Sequence, residues 1–342
     1  MSPTIDALQR AGVQPLPEHL RPSFRELLEP FSDDQIRAAL HVLSVTVHKA
    51  VDLQPDRGTF RLRREEYDVL RTPRNEERLL VRAGEMHRYE PWFRRCIAQV
   101  MLVHKLRETR VLTGFSRVLP SSSLLSAEGR SLLRRTPNRS EEDWLPAYVV
   151  YGEGVFLEFN EALLAAWENT PAVARRVEML ERSFSRVSLS ISGEQRAITA
   201  RFVLLHTFAH LLVNELAFDC GYSSASLRER LYVSDSPDAP MAGVLIYTAA
   251  GDAEGTLGGL VRMGRPGLLE PSVRRALDRA RWCASDPVCI EMGLQGPDSC
   301  NLAACHNCGL VPETACEEFN RFLDRGVVIG TFEDTGSGFL ST

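Results

Sequence analysis

Apolar positions in the first hundred residues recur at helical spacing. Leu27, Leu28, Ile36, Ala39, Leu40, Leu43 and Val47 follow a 3.6-residue period, and Ser32-Asp33-Asp34 offers a cap and first-turn acids. Between Phe60 and Arg88 arginines alternate with glutamates, as in Arg63-Arg64-Glu65-Glu66, which reads as a solvated face laced with ion pairs. Trp92 and Phe93 then read as core. Residues 110–119 are rich in β-formers, and the polar run 121–143 reads as a connector. Ala147 to Tyr151 and Val155 to Phe159 flank Gly152-Glu153-Gly154, which predicts a hairpin over 147–159, and Asn160 caps a helix through Trp167.

Another amphipathic helix spans Pro171 to Leu189. A longer one opens at Ser192-Gly193-Glu194 and ends near Phe218, with Gly221 placed where a left-handed residue is wanted. Val244 to Thr248 predicts a strand that leads into a glycine-rich turn over 251–259, and Pro271 starts a helix. Glu317 to Leu323 reads as a short helix and Val327 to Ile329 as a strand. The fold class that follows is α+β: a helical N-terminal region over 1–100, a mixed α/β core over 101–192 and a C-terminal cysteine-bearing domain over 193–342.

Composition narrows this picture. The 342 residues are 44% hydrophobic and 25% charged, ordinary for a globular chain. Net charge of −5 argues against a surface basic all over, so any nucleic-acid contact needs a local patch. No apolar run approaches the ~20 residues of a membrane span, and Met1-Ser2-Pro3-Thr4 opens no export signal. A soluble cytoplasmic protein without a membrane partner is the expectation.

Six of the eight cysteines lie in Cys283-x5-Cys289-x10-Cys300-x4-Cys305-x2-Cys308-x7-Cys316. Two thiolates separated by two residues turn back onto one cation, and zinc then needs two more soft ligands to close a tetrahedron. Cys305, Cys308 and Cys316 with Cys289 are the expected set, with Cys300 and Cys283 as alternates for the fourth place. Disulfides would need an oxidising compartment; an iron–sulfur centre and plain buried thiols are the other readings. Four cysteines leave no open position for water, so the expected ion is structural.

Three further groups carry candidate chemistry. His206 and His210 stand one turn apart on one helix face, but a zinc-protease helix needs glutamate where Thr207 stands, and the apolar surroundings favour buried histidines with polar partners. The turn bearing Gly255, Gly258 and Gly259 can offer N–H groups to an anion, although it lacks the Lys-Ser or Lys-Thr of a nucleotide-hydrolysing loop. Arg274, Arg275, Arg279 and Arg281 line a helix that can face DNA or a partner. An enzyme reading would rest on His206, His210, Glu215 and the 251–259 turn, as a metal-dependent nuclease or phosphoesterase; a zinc-stabilised scaffold without nucleic acid is a third reading.

Several stretches carry a family resemblance. Leu205-His206-Thr207-Phe208-Ala209-His210-Leu211-Leu212, the run Glu215 to Arg230, Gly251 to Leu260, Asp286-Pro287-Val288-Cys289, Ala303 to Cys308 and Pro312 to Glu317 resemble the DrmB family of the DISARM antiphage system. Lys105 to Phe115, Trp144-Leu145-Pro146 and Gly152 to Phe159 resemble the same family, so the likeness covers roughly residues 100–330. The C-terminal stretch is similar to the MrfA-type zinc-binding domain, in which four cysteines hold the metal; Cys289, Cys305, Cys308 and Cys316 correspond by position. The resemblance implies a non-catalytic accessory subunit that works with a DrmA-like superfamily 2 helicase and binds DNA as a complex in phage defence. The chain is shorter than DrmB proteins at the N-terminal side, which suggests a compact relative.

Overall fold

The computed structural model describes residues 29, 32–37, 57–112, 145–191, 197–248, 258–333 and 335–341. The chain forms two compact units, 1–60 and 61–342. In the first, Ser32 and Gln35 exchange hydrogen bonds, the Ser32 N–H to Oε1 at 2.8 Å and the Gln35 N–H to Oγ at 3.3 Å. This is a capping box, and residues 33–37 are helical after it. Most of the apolar series from Leu27 to Val47 lies outside the described residues.

The larger unit follows the order α1 (Arg57–Leu70, which begins in the first unit), β1 (Arg74–Asn75), β2 (Leu79–Ala83), α2 (Pro91–Cys96), β3 (Ile97–Val111), β4 (Ala147–Phe159), α3 (Glu161–Glu168), α4 (Pro171–Ile191), α5 (Ala200–Cys220), β5 (Leu227–Ser234), β6 (Met241–Thr248), α6 (Gly259–Met263), α7 (Leu269–Ala280), α8 (Val288–Glu291) and α9 (Arg325–Ile329). One antiparallel sheet runs β1-β2-β3-β4-β6-β5. Since β4 pairs with β6, strands from either side of residue 193 share that sheet.

The expected hairpin is a single 13-residue strand. Gly152-Glu153-Gly154 sits inside β4, where Gly154 pairs with both Val103 and Tyr247. The glycine serves close approach rather than a turn: a Cβ at 154 would stand 2.8 Å from the Ile246 carbonyl oxygen and 2.9 Å from Tyr247 Cβ. Asn160 does cap α3, accepting the Leu163 N–H at 3.2 Å.

Helix α5 starts at Thr199, whose hydroxyl accepts the Phe202 N–H, rather than at Gly193, and ends on Gly221 at φ +70°. Its 21 residues are long and apolar enough to cross a bilayer, against the expectation drawn from the sequence, but they form the core helix, packed on β5 and β6 and against α6, α7 and α9. Arg201, buried at its first turn, holds Glu161 and Glu168 of α3 and the carbonyls of Ser234 and Met241. Helix and sheet are thereby joined at one end.

Downstream the sequence reading inverts. Residues 317–323 form turns with positive φ at Phe319, Asn320 and Phe322, and 327–329 belong to helix α9 instead of a strand. Buried Asp324 decides this: its carboxylate caps Gly326 at 2.9 Å, receives the Ala303 N–H at 3.3 Å and is gripped by both arms of Arg176. Thr207, the residue that rules out a protease helix, accepts the Asp324 N–H at 2.9 Å. Of the β-rich run 110–119, only 110–112 is described, and β3 takes its strand mainly from the residues before it. The connector 121–143 lies outside the described residues.

Candidate metal centres

Four sulfurs converge beyond the C-terminal end of α7. Cys283 follows that helix, Cys289 sits on α8, and Cys305 and Cys308 face each other across a turn closed by the Cys308 and Gly309 N–H groups on the Cys305 carbonyl. Sγ separations are 3.5 Å for Cys283 and Cys305, 3.7 Å for Cys289 and Cys308, and 3.8 Å for Cys305 and Cys308. Four sulfurs bound tetrahedrally at about 2.3 Å stand about 3.8 Å apart, so the cluster has the dimensions of a zinc tetrahedron.

The electrostatics agree. Burial pushes the Cys289 thiol up to about 11, aided by Cys305, and burial also raises Cys308. On Cys305 burial is outweighed by the Asn307 backbone N–H and the neighbouring sulfurs, and the thiol is lowered. Four sulfurs this close cannot all ionise without a cation among them. The peptide N–H of Ser285 points to Cys283 Sγ at 3.4 Å and that of Cys305 to Cys308 Sγ at 3.3 Å, as suits thiolate acceptors. The donor set fits structural zinc, with every position taken by sulfur.

This set differs from the expected one in a single member. Cys289, Cys305 and Cys308 come together as expected and Cys283, an alternate, completes them; Cys316 does not join. Cys300 is fully buried in the apolar core, its thiol against the Asp298 carbonyl.

Cys316 instead belongs to a second cluster with His206, His210 and Glu229. His206 Nε2 lies 3.2 Å from Cys316 Sγ and 3.1 Å from Glu229 Oε1, and His210 Nε2 lies 3.6 Å from the same oxygen. His210 Nδ1 donates to the Gly309 carbonyl at 2.7 Å, next to Cys308 of the first cluster. Burial opposes charge on both imidazoles, but the Glu229 carboxylate overrides it, raising His206 and bringing His210 to about 10. Glu229 is held low by the two rings despite its burial, and Cys316 is likewise lowered by them. Glu229 carries no motif, and sequence reasoning alone does not find it; its alternation on β5 marks only an inward position.

The remaining candidates have protein partners. Glu215 is buried and bound by Arg275, while Arg279 Nη1 lies 3.0 Å from it, so it does not belong to a histidine site. Arg275 also pairs with Asp219, Arg274 pairs with Glu90 at 2.6 Å over the Trp92 ring, and Arg281 lies 3.8 Å from Asp278. These arginines reach the surface with carboxylates already beside them. At the glycine-rich turn, Gly258 adopts φ +125° before α6, but the N–H groups of Leu260 and Val261 are taken by buried Glu153 at 2.8 and 3.3 Å. The anion at this helix start is the protein's own carboxylate. Gly255 lies outside the described residues.

Comparison with known proteins agrees with the metal chemistry. Residues 208–309 match the family model of the MrfA Zn-binding domain, a window that contains Cys283, Cys289, Cys305 and Cys308 but not Cys316. The DISARM protein DrmB of Bacillus paralicheniformis is 36% identical over 254 residues, which is 74% of this chain and 44% of that relative. The chain thus spans under half the length of the relative it matches.

Proposed function

Since the chain belongs to the DrmB family, we propose that it acts in DISARM-type defence against phage, as a non-catalytic subunit that assembles with a DrmA-like superfamily 2 helicase and engages DNA within that complex. The observation that carries this is the 36% identity sustained over 254 residues. The zinc centre supports it in one respect: an ion enclosed by four sulfurs shapes a surface and leaves no position for a substrate. The alternative nuclease set loses support because His206 and His210 are fully buried and Glu215 turns to Arg275.

Co-expression of the tagged chain with a superfamily 2 helicase encoded beside it, followed by purification and phage challenge, tests the proposal. Co-purification of the helicase and loss of protection on deleting this chain are expected. Protection that survives deletion, with no helicase retained, overturns it.

A scaffold that binds protein but not DNA is the second reading, favoured by the carboxylates beside Arg274, Arg275, Arg279 and Arg281. Charge reversal at Arg281, which holds no buried acid, separates the two. A shallower salt dependence of DNA binding by the complex supports the DNA face; an unchanged slope favours the scaffold.

A further inference from the structure

We propose that His206, His210, Glu229 and Cys316 bind a second divalent transition-metal ion, zinc foremost, in a closed structural site separate from the four-cysteine centre. Their ligand atoms lie within 4.8 Å of one another. Tetrahedral zinc with nitrogen or oxygen at about 2.0 Å and sulfur at about 2.3 Å sets its donors roughly 3.3 to 3.5 Å apart. The observed 3.1, 3.2 and 3.6 Å bracket that range.

Donor and acceptor logic favours a cation here. The Gly309 carbonyl only accepts, so His210 Nδ1 carries a proton, and in the neutral ring Nε2 is then a lone pair. That lone pair faces the Glu229 carboxylate, acceptor against acceptor, and both His210 Nε2 and Glu229 Oε2 are buried without a hydrogen-bond partner. Cys316 Sγ receives the Glu318 and Asn320 N–H groups at 3.3 and 3.2 Å, an environment made for thiolate. Protons on both imidazoles would also balance the carboxylate and thiolate. They would do so by placing two like charges on rings whose centroids are 4.5 Å apart. One divalent ion balances the same two anions without that repulsion. With Oε1 of Glu229 as the ligand, it leaves His206 Nδ1 and Glu229 Oε2 as the unpaired atoms of the cluster.

Position gives the site its use. β5 is an edge strand of the sheet, and the ion would tie it to α5 and to the turn after Cys316. His206 and Cys316 fall outside the stretch matched by the zinc-domain model, so the site is an addition to that module.

Zinc content of the purified full chain, with X-ray absorption at the zinc edge, tests the assignment. Expected are about two ions per chain, with nitrogen and oxygen mixed into the sulfur shell. His210→Ala and Cys316→Ser each reduce the count to about one and leave an all-sulfur shell. Should the variants fold poorly, the wild-type spectrum decides alone. One ion per chain in an all-sulfur shell, or a count that neither substitution lowers, overturns the proposal.

Discussion

Glu153 is buried in the middle of a strand and receives three hydrogen bonds, from the Leu260 and Val261 N–H groups and from the Tyr222 hydroxyl at 3.1 Å. Removal of the carboxylate would orphan all three donors at once. Bonds to a charged acceptor contribute about 1.5–3 kcal/mol each, without strict additivity, so Glu153→Ala should destabilise by about 3 kcal/mol or more in urea unfolding, and Glu153→Gln, which keeps an accepting oxygen, by less. Its neighbour Gly154 is constrained by space: the carbonyl of Ile246 is backbone and cannot yield, so Gly154→Ala should cost about 1–3 kcal/mol by forcing β4 from β6. Tyrosines give the fold an alkaline limit. Burial, followed by Glu153, brings Tyr222 to about 12, and burial raises Tyr67, Tyr89, Tyr232 and Tyr247 as well. A folded-state value above the unfolded one means the unfolded chain ionises first. Stability should therefore be intact below pH 10 and fall as pH rises above it, with tyrosinate absorbance and loss of structure appearing together.

At the scale of elements, the turn Cys305 to Gly309 serves two neighbours, closing on the sulfur cluster on one side and giving the Gly309 carbonyl to His210 of α5 on the other. Cys283 and Cys316 thus have different tasks. Cys283→Ser should remove zinc from the four-sulfur centre and lower the melting temperature, whereas Cys300→Ser, which alters a core thiol, should keep the full zinc count. Elemental analysis beside thermal unfolding distinguishes them, and a full count in Cys283→Ser would exclude it as a ligand. The same contrast shows where sequence suffices. Cys305 with Cys308, Asn160 as a cap and Gly221 as a helix end are local devices, set by a few consecutive residues. The choice between Cys283 and Cys316 is not local. Cys316 is drawn to imidazoles more than a hundred residues earlier and to a glutamate on β5, contacts that no spacing encodes. The glycines around Glu153 read as a turn for a similar reason, since a turn and a close strand contact call for the same residue and only the partner strand distinguishes them. In α1 the charge pattern is half legible: Arg61 with Glu65 is a solvated pair, but Arg63 and Glu66 reach across to Glu317 and Arg230.

Across the larger unit, one apolar cluster runs from Tyr89 through Phe159, Phe208, Val244 and Val273 to Leu340 and includes Cys300 and Cys316. The zinc region is therefore not an appendage with a core of its own. Helix α5 packs on the sheet with one side and on α7 and α9 with the other, and Arg325 of α9, itself buried, links Asp286 and the Ala280 carbonyl beside the sulfurs. If the four-sulfur centre loses its ion, its sulfurs take up protons and the bonds that hold α7, α8 and the turn that positions His210 together are lost, a loosening that α5 carries into the sheet. Structural zinc in small peptides contributes an apparent ~10–16 kcal/mol, comparable to the whole stability of a typical domain. Removal of zinc by a strong chelator should accordingly shift one cooperative unfolding transition to lower temperature, with helix and sheet signals lost together. A second transition at the original temperature, reporting a sheet that melts unchanged while the cysteine region unfolds first, would show that sheet and cysteine region are energetically separate despite their shared core.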